Sequence, residues 1–446
     1  MLHTRPPEAK TYPTVPEGGA IPLRGDPITG ERYYSREFAQ REWDRMWKRV
    51  WHVGGREAQL EEAGDFITHN FLRQSVILVR QEDGSVRAFH NSCAHRGNRL
   101  VQSPEGGVPN GFTCPYHGWR YGLDGVLNEA QDADDFPQGN PCGKLHMKEL
   151  LCESWGGFVW YSFDPNALPL RDYLYPMPEL LKSRQLDKLT RVVWLTVRVN
   201  TNWKFSPDNF NESYHLPTVH PQMREMIDED YKNTLFDMFP NGHNRMIEQG
   251  QPSLRAQHPN EVEPIWEYML SDWGLDPADF AGRARDGRIA LQKAKRELGP
   301  ERGYRHFEAL LDDELTDYFH HTLFPNVTIT GTSDGVHFFR TEPDGHDPEW
   351  CTFDYWYLAP KVEGQSEVPT VYGPRPLAEA EHEITNYGDS SGGHHLGDFI
   401  DQDLSVAVAQ QQGFHSLAYE DCYLSGQESR VRRFHEVLND YLEGRR

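Results

Sequence analysis

Two short cysteine–histidine pairs constrain this chain more than any other feature of its sequence. Cys93 and His95 have one residue between them, and after 18 intervening residues Cys114 and His117 follow with two residues between them. Each pair stands in a glycine-containing segment, CAHRGN and CPYHGW, which lets the backbone approach a bound group closely. Four such side chains on two adjoining loops can surround one metal centre. The fold must therefore bring the two loops together.

Two kinds of metal centre use two cysteines and two histidines. Structural zinc sites favour loops that each supply like ligands, as C-x2–4-C and H-x3–5-H pairs. A Rieske-type [2Fe–2S] cluster has two thiolates on one iron and two imidazoles on the other, so each loop must supply one ligand of each kind. The mixed pairs match that second requirement. The sequence predicts a Rieske cluster on Cys93, His95, Cys114 and His117, with a zinc-stabilised binding module as the rival interpretation.

A second pair of histidines lies in NWKFSPDNFNESYHLPTVH, residues 202–220. Glu212 and His215 share one face of a helix, but His215 and His220 are five residues apart and would point about 140° away from each other on a regular helix. Pro217 cannot donate a helical hydrogen bond and predicts a break that swings His220 back toward His215. The motif therefore favours a metal site with two imidazole ligands.

Two imidazoles completed by one carboxylate form the ligand set of non-haem Fe(II) oxygenases. The carboxylate must come from elsewhere in the chain, and the candidates are Asp398, Asp401 and Asp403, which precede the helix-like segment SVAVAQQQG. We favour Asp403. A relay cluster in a chain of this length needs an electron acceptor, which strengthens the prediction of a mononuclear iron.

Hydrophobic patterning divides the chain into three parts. Residues 1–47 are predicted to form an N-terminal arm and a helix, and residues 48–165 show the short alternating segments of an all-β domain. Residues 166–446 are predicted to form a second domain with strands and helices, interrupted by a helical insertion at about 225–320. The predicted fold class is therefore α+β.

The formal charge of −23 argues against a nucleic-acid partner, because a phosphate-binding surface must be basic. The segment 88–122 is locally basic, since it holds Arg96, Arg99 and Arg120 against Glu105. These arginines either dock an acidic redox partner or stabilise the negative charge of the cluster itself. No apolar stretch approaches the roughly 20 residues of a membrane helix, and the first residues lack the apolar core of a secretory signal. The sequence predicts a soluble, cytoplasmic protein.

Five segments resemble the Rieske non-haem iron oxygenases, specifically the large (alpha) terminal subunits related to aromatic-ring-hydroxylating dioxygenases. They are FHNSCAHRGNRL, CPYHGWRYGLDG, NWKFSPDNFNESYHLPTVH, LFPN and DLSVAVAQQQGF. The resemblance covers about residues 35–440. It implies an all-β Rieske domain followed by a catalytic domain of helix-grip type, in which helices flank an antiparallel sheet.

The resemblance also implies roles for individual residues. His215, His220 and Asp403 match the iron ligands, with Asp401 as the fallback for the third. Glu212 matches the acid that bridges the cluster of one subunit to the iron of its neighbour in a head-to-tail homotrimer, and Asn209 matches a residue beside that iron. A small β subunit accompanies some relatives. Bound to both imidazoles, Glu212 would fix the orientation of both rings.

The implied function is that of a terminal oxygenase in aromatic hydrocarbon catabolism. An NAD(P)H-dependent flavin reductase, with or without a ferredoxin, would supply electrons, and O2 would be used to mono- or cis-dihydroxylate an organic substrate. Asp is commoner than Glu at position 212, and the longer acid is also seen in relatives that act on quaternary ammonium compounds such as carnitine. Oxidation of such a compound, including oxidative demethylation, is therefore the alternative. A Rieske-type electron carrier is the rival of another class, disfavoured because about 280 residues follow the cluster domain.

Overall fold

The computed structural model of the chain describes residues 11–345, 347–387 and 396–446. Within these ranges the chain forms two compact units. The smaller one, called the cluster unit below, comprises residues 42–175. The larger one, called the catalytic unit, comprises residues 176–446 together with the N-terminal stretch that ends at Arg41.

The borders of the units differ from those predicted from the sequence, which placed an arm and helix at 1–47 and the all-β domain at 48–165. The N-terminal stretch is held by the catalytic unit, because the backbone N–H groups of Arg24 and Gly25 donate to Oε1 of the buried Glu436 at 2.5 and 2.9 Å. The first ten residues of the predicted arm lie outside the described residues. Two helices follow the arm, α1 (Glu31–Tyr34) and α2 (Arg36–Glu42).

The cluster unit is built mainly from antiparallel strands. They are β1 (Trp51–Arg56), β2 (Asp65–Phe71), β3 (Gln74–Arg80), β4 (Val86–His90), β5 (Glu105–Gly107), β6 (Phe112–Thr113), β7 (Arg120–Tyr121), β8 (Leu127–Glu129), β9 (Glu149–Trp155) and β10 (Phe158–Ser162). In the described part of the unit they form one sheet in the order β1-β10-β9-β4-β3-β2-β5 and a smaller one in the order β6-β7-β8. The apolar run Val76–Val79 is fully buried in the centre of the larger sheet. A short helix, α3 (Leu170–Leu174), follows the last strand.

The main sheet of the catalytic unit has eight described strands and is larger than either sheet of the cluster unit. The strands of the unit are β11 (Thr190–Val199), β12 (Leu235–Met238), β13 (Asn244–Glu248), β14 (Tyr318–Leu323), β15 (Val327–Gly331), β16 (Val336–Pro343), β17 (Cys351–Ala359), β18 (Glu367–Thr370), β19 (Gly373–Pro376) and β20 (Glu383–Asn386). The described strands pair in the order β12-β13-β14-β15-β16-β17-β11-β20, antiparallel except for the last pair, and β18 and β19 form a separate hairpin. Alternate side chains of β13 to β17 consequently share one face of the sheet.

Helices surround this sheet. They are α4 (Met177–Leu180), α5 (Phe205–Phe210), α6 (Leu216–Val219), α7 (Pro264–Asp272), α8 (Gly287–Leu298), α9 (Asp398–Gly413) and α10 (Ser429–Leu442). Helix α10 carries the buried apolar residues Val431, Phe434, Val437 and Leu438, which explains its close packing in the unit. The combination of an all-β unit with a mixed catalytic unit confirms the predicted α+β fold class.

The segment 225–320 is less helical than the sequence predicted. Strands β12 and β13 occupy its beginning, and Tyr318 at its end already belongs to β14. Polar residues such as Asp237, Asn244 and Arg245 hide the strand pattern, yet they are half-buried or buried because Arg245 donates to the Asp237 carboxylate at 2.5 Å.

Among the helices that the structure describes, none is both long enough and apolar enough to span a lipid bilayer.

Candidate metal centres and substrate cavity

The two cysteine–histidine loops of the cluster unit have the same backbone hydrogen bonds. The N–H of Gly97 donates to the Cys93 carbonyl at 2.9 Å, and the N–H of Gly118 donates to the Cys114 carbonyl at 3.0 Å. Each cysteine N–H in turn donates at 2.8 Å to the carbonyl five residues later, which belongs to Asn98 or Trp119. Both glycines have positive φ, 76° and 71°, so the repeated turn depends on a residue without Cβ.

The donor side chains of these loops lie together. The rings of His95 and His117 are 4.6 Å apart between centroids, and both cysteines are buried, whereas the two histidines are partly exposed. Burial raises the pKa of the Cys93 thiol, and the neighbouring Cys114 sulfur adds to that shift. Nδ1 of His95 is buried and has no hydrogen-bond partner among the described residues. Two thiols on the inner side and two imidazoles on the outer side are the donors that a Rieske cluster requires.

Two aromatic residues that the sequence analysis did not single out support the first loop. The hydroxyl of Tyr121 lies 3.2 Å from Sγ of Cys93 and accepts a hydrogen bond from the Ala94 N–H at 3.0 Å. The ring of Trp119 stacks on His95 with 4.5 Å between centroids. Both aromatic residues follow the second cysteine–histidine pair within CPYHGWRY, and this closeness in sequence could have identified them.

The second histidine motif folds differently from the single bent helix predicted from the sequence. Helix α5 ends before Asn211, an irregular segment follows, and the one-turn helix α6 begins after His215. Pro217 stands in the first turn of α6, where its missing N–H leaves no partner unsatisfied, so it does not break a helix interior. His215 and His220 flank α6 at its two ends, which brings their ring centroids to 5.4 Å.

Asp403 of α9 completes a compact donor group with these histidines. One ligand atom each from His215, His220 and Asp403 lie within 4.8 Å of one another. Nε2 of His220 is 2.9 Å and Nε2 of His215 is 3.8 Å from Oδ1 of Asp403. Asp401, the fallback in the sequence analysis, instead accepts the Leu396 N–H through its carboxylate at 3.0 Å. The three predicted ligands therefore come together, and Asp401 stands apart from them.

The other ring nitrogen of each histidine is held by an oxygen acceptor. Nδ1 of His215 donates to Oε1 of Glu212 at 2.7 Å, and Nδ1 of His220 donates to Oε1 of Gln402 at 2.7 Å. With Nδ1 held in both rings, Nε2 beside Asp403 is the nitrogen left to bind a metal. Gln402 was missed by the sequence analysis, although it directly precedes Asp403.

Glu212 and Asn209 surround His215. Glu212 also accepts the backbone N–H of His215 through Oε2 at 3.0 Å. Burial lowers the pKa of His215, but the carboxylates of Glu212, Asp403 and Glu248 together outweigh this effect, and the pKa is raised to about 9. Nδ2 of Asn209 lies 3.2 Å from Oδ1 of Asp403 and 3.5 Å from Nε2 of His215. Glu212 and Asn209 therefore both lie beside the donor group.

A cavity of about 250 Å³ opens onto this donor group. Its walls are mainly apolar and include Phe210, Met223, Met246, Phe339 and Phe353. The face of strands β13 to β17 contributes polar side chains, among them His320 and His337. A largely apolar cavity next to three convergent metal-binding donors is the usual form of a small-molecule site.

Comparison with known proteins gives two family matches. The catalytic-domain model of the ring hydroxylating alpha subunit matches residues 186–444, and the model of the Rieske [2Fe-2S] domain matches residues 50–139. Both donor groups fall inside these matches.

Curated relatives include the oxygenase subunit of carnitine monooxygenase from Escherichia coli K12, which is 32% identical over 202 residues, 45% of this chain and 54% of that protein. Chloroplastic choline monooxygenase from Atriplex hortensis is 31% identical over 305 residues, 60% of this chain and 67% of that protein. The match to the carnitine monooxygenase subunits thus spans about half of their length.

Solved structures share the fold. A quaternary ammonium Rieske monooxygenase superposes with a TM-score of 0.65 at 18% identity, covering 93% of this chain and 95% of the other. Naphthalene 1,2-dioxygenase from Rhodococcus sp. gives 0.63 at 19% identity, covering 93% and 94%. These likenesses extend over both units of the chain.

Proposed function

Because the chain belongs to the ring hydroxylating alpha subunit family and carries a Rieske [2Fe–2S] domain, we propose that it is a terminal oxygenase component. It takes electrons from an NAD(P)H-dependent reductase, directly or through a ferredoxin, and uses O2 to hydroxylate an organic substrate. The proposal rests on the group formed by His215, His220 and Asp403 at the apolar cavity. The Nδ1 atoms of the two histidines are hydrogen-bonded to Glu212 and Gln402.

Cys93, His95, Cys114 and His117 are the proposed ligands of the Rieske cluster. The fit rests on the buried thiols, on the unpartnered Nδ1 of His95 and on the matching hydrogen bonds of the two loops. Two imidazoles in place of two thiolates raise the reduction potential, so the cluster supplies an electron relay and not substrate chemistry. Arg96, Arg99 and Arg120 of this region are exposed, and their positive charge suits an acidic redox partner.

His215, His220 and Asp403 are the proposed ligands of a mononuclear Fe(II). Bound to these residues, Fe(II) would supply the activation of O2. The residues of the chain prepare the site: Glu212 and Gln402 fix the imidazole tautomers, Asn209 restrains Asp403, and the apolar walls exclude water from the cavity.

Glu212 is further proposed to connect two subunits. Its carboxylate already binds His215 through both oxygens, and each oxygen can accept a second hydrogen bond. In the homotrimer implied by the family, a cluster imidazole of the neighbouring subunit would supply that second donor. The trimer, an accompanying β subunit and a cytoplasmic location remain predictions.

Two classes of substrate fit the cavity. The aromatic and methionine side chains of the cavity fit an aromatic compound. The same aromatic faces can hold a quaternary ammonium group by cation–π attraction, and the carnitine and choline monooxygenases among the relatives favour this second candidate. A Rieske electron carrier without oxygenase activity would have no need for the cavity or its donor group.

The experiment that tests the function is a turnover assay with a surrogate reductase, NADH and O2, run with aromatic acids and with quaternary amines. We expect the purified protein to be red-brown and to release a hydroxylated or demethylated product from one class, detected by mass spectrometry. A colourless, zinc-containing protein would contradict the cluster, and a red-brown protein without product from either class would favour the electron carrier.

A further inference from the structure

The sheet wall of the cavity carries a row of polar side chains in otherwise apolar surroundings. Neighbouring strands β13 to β17 contribute Glu248, His320, Thr330, His337 and Tyr355 in turn, and all five line the cavity. Nε2 of His320 lies 3.2 Å from Oε2 of Glu248, and its Nδ1 lies 2.9 Å from the Thr330 hydroxyl. Nε2 of His320 is sealed from solvent and therefore offers nothing to a molecule in the cavity. The part of the row around His337 differs.

His337 is fixed by aromatic neighbours. Its ring lies 4.8 Å from that of Tyr357 and nearly parallel to those of Phe339 and Tyr355, with interplanar angles of 8° and 12°. Nδ1 of His337 lies 2.9 Å from the hydroxyl of Tyr355, a residue that is 1% exposed. Both the position of the imidazole and the direction of its nitrogens are therefore determined by the packing of the sheet.

The contact with Tyr355 selects one tautomer of His337. Among the described residues the Tyr355 hydroxyl has His337 as its hydrogen-bond partner, so a buried O–H would remain unsatisfied unless it donated to Nδ1. The ring proton then resides on Nε2. Burial lowers the pKa of His337 to about 4, which keeps the imidazole neutral at physiological pH.

Nε2–H of His337 is available inside the cavity. Within the described ranges this nitrogen has no hydrogen-bond partner, and it does not belong to the atoms that are sealed from solvent. The side chain is partly accessible although it lies deep in the catalytic unit, because it faces the cavity. An uncharged oxygen acceptor can pair with this donor without the cost of burying a charge in the apolar cavity.

We propose that His337, held by Tyr355, is a specificity-determining residue that donates a hydrogen bond from Nε2 to a carbonyl or hydroxyl oxygen of the substrate. The buried Glu248 on the same wall disfavours an anionic acceptor. The bond would anchor the polar end of the substrate on the sheet wall and leave its apolar part for the donor group of His215. This inference rests on the proposed function in taking the cavity as the substrate site.

The test compares the binding of matched ligands to the oxidised, metal-loaded protein by calorimetry, without reductant. Acetophenone and α-methylstyrene have the same shape but differ in the carbonyl oxygen, and 1-phenylethanol and isopropylbenzene form the corresponding hydroxyl pair. We expect the wild-type protein to favour the oxygen-containing member of at least one pair by about threefold to tenfold, the value of one neutral hydrogen bond. The pair that shows the preference identifies the acceptor as carbonyl or hydroxyl.

Variants assign this preference to His337. His337→Phe keeps an aromatic ring but removes the donor, so the preference should disappear while binding of the hydrocarbon is retained, which also verifies the fold. His337→Gln should restore part of the preference, and Tyr355→Phe should reduce it by releasing the tautomer. Thr332→Val is the matched control, because it also removes a cavity hydroxyl, but one that already donates to the Gly335 carbonyl at 3.2 Å.

An unchanged preference in His337→Phe, a loss of equal size in Thr332→Val, or a wild-type protein without preference in either pair would each overturn the proposal. Because binding is measured without turnover, a protein that showed the preference but formed no product would contradict the proposed function alone.

Discussion

The two donor groups differ in how far apart their residues lie in the sequence. In the cluster unit the donors lie on two loops with the same internal hydrogen bonds, so each loop is shaped by its own glycine and backbone. In the catalytic unit, Asp403 on α9 comes from a segment more than 180 residues after His220, and helix packing alone brings them together. The cluster loops are therefore local structures, whereas the proposed iron site depends on the tertiary fold of its unit.

The difference predicts which changes each site tolerates. A substitution that shifts α9 should separate Asp403 from the histidines and leave both cluster loops intact. The following predictions test this separation, beginning with the largest expected effect.

Asp403→Ala is expected to abolish turnover, by about a thousandfold or more, because it removes an iron ligand and leaves two imidazoles without a carboxylate. Iron analysis should give about two iron atoms per chain in place of about three, with an unchanged cluster spectrum. Asp401→Asn on the same helix is the matched control and should retain iron and most activity. If Asp401→Asn lost activity while Asp403→Ala kept normal activity, Asp401 and not Asp403 would be the third iron ligand.

Glu212→Ala is expected to retain both metals but to lose nearly all turnover, by about a hundredfold, since the imidazole of His215 loses its orienting carboxylate. Steady-state turnover and the visible spectrum measure the two properties separately. Normal turnover in this variant would exclude the proposed connection between subunits.

Gln402→Leu is expected to weaken iron binding about tenfold, because Nδ1 of His220 loses its acceptor. Equilibrium titration of the metal-depleted protein with Fe(II) under anaerobic conditions measures the affinity. Gln222→Leu serves as the control, since Gln222 donates to Oε1 of Gln402 at 2.9 Å without contacting His220 in any described hydrogen bond. Equal weakening in both variants would argue that the amide network, and not the His220 contact, determines the affinity.

The stability of the catalytic unit is expected to fall in mild acid. Burial lowers the pKa of His321 well below its ordinary value and that of His337 to about 4, so both bind protons more tightly in the unfolded chain. The contribution of both is complete above about pH 6.5 and decreases as the pH falls, and that of His337 is lost toward pH 4 at about 1.4 kcal/mol per pH unit. Hydrogen exchange of strands β14 to β16 at pH 7 and pH 5 measures this loss, and His337→Gln should make it smaller. An identical pH dependence in that variant would contradict the contribution of His337.

These contrasts also explain what the sequence could predict. The proposed cluster ligands could be predicted from their spacing, since CAHRGN and CPYHGW each form one complete loop. Strands such as β11 and β16 were predictable because their apolar residues form regular patterns. Strands β12 and β13 were missed because the ion pair of Asp237 and Arg245 interrupts their apolar pattern.

The geometry of the second motif could not be derived from helical periodicity. The chain leaves the helix at Asn211, before Pro217, and the two histidines meet because they flank a single turn. The orienting role of Gln402 depends on the approach of α9 to α6, which no local pattern records. The proposed role of His337 likewise depends on Tyr355, which lies on the next strand of the sheet.

Electron transfer from the cluster to the site of His215, His220 and Asp403 can be followed in a single-turnover experiment. The chemically reduced protein is mixed with O2 and substrate in a stopped-flow instrument, and the visible absorbance of the cluster is followed together with product. We expect rapid reoxidation with product in the wild-type protein and reoxidation at least about a hundredfold slower, without product, in Asp403→Ala. Equal reoxidation rates in the two proteins would contradict this electron transfer.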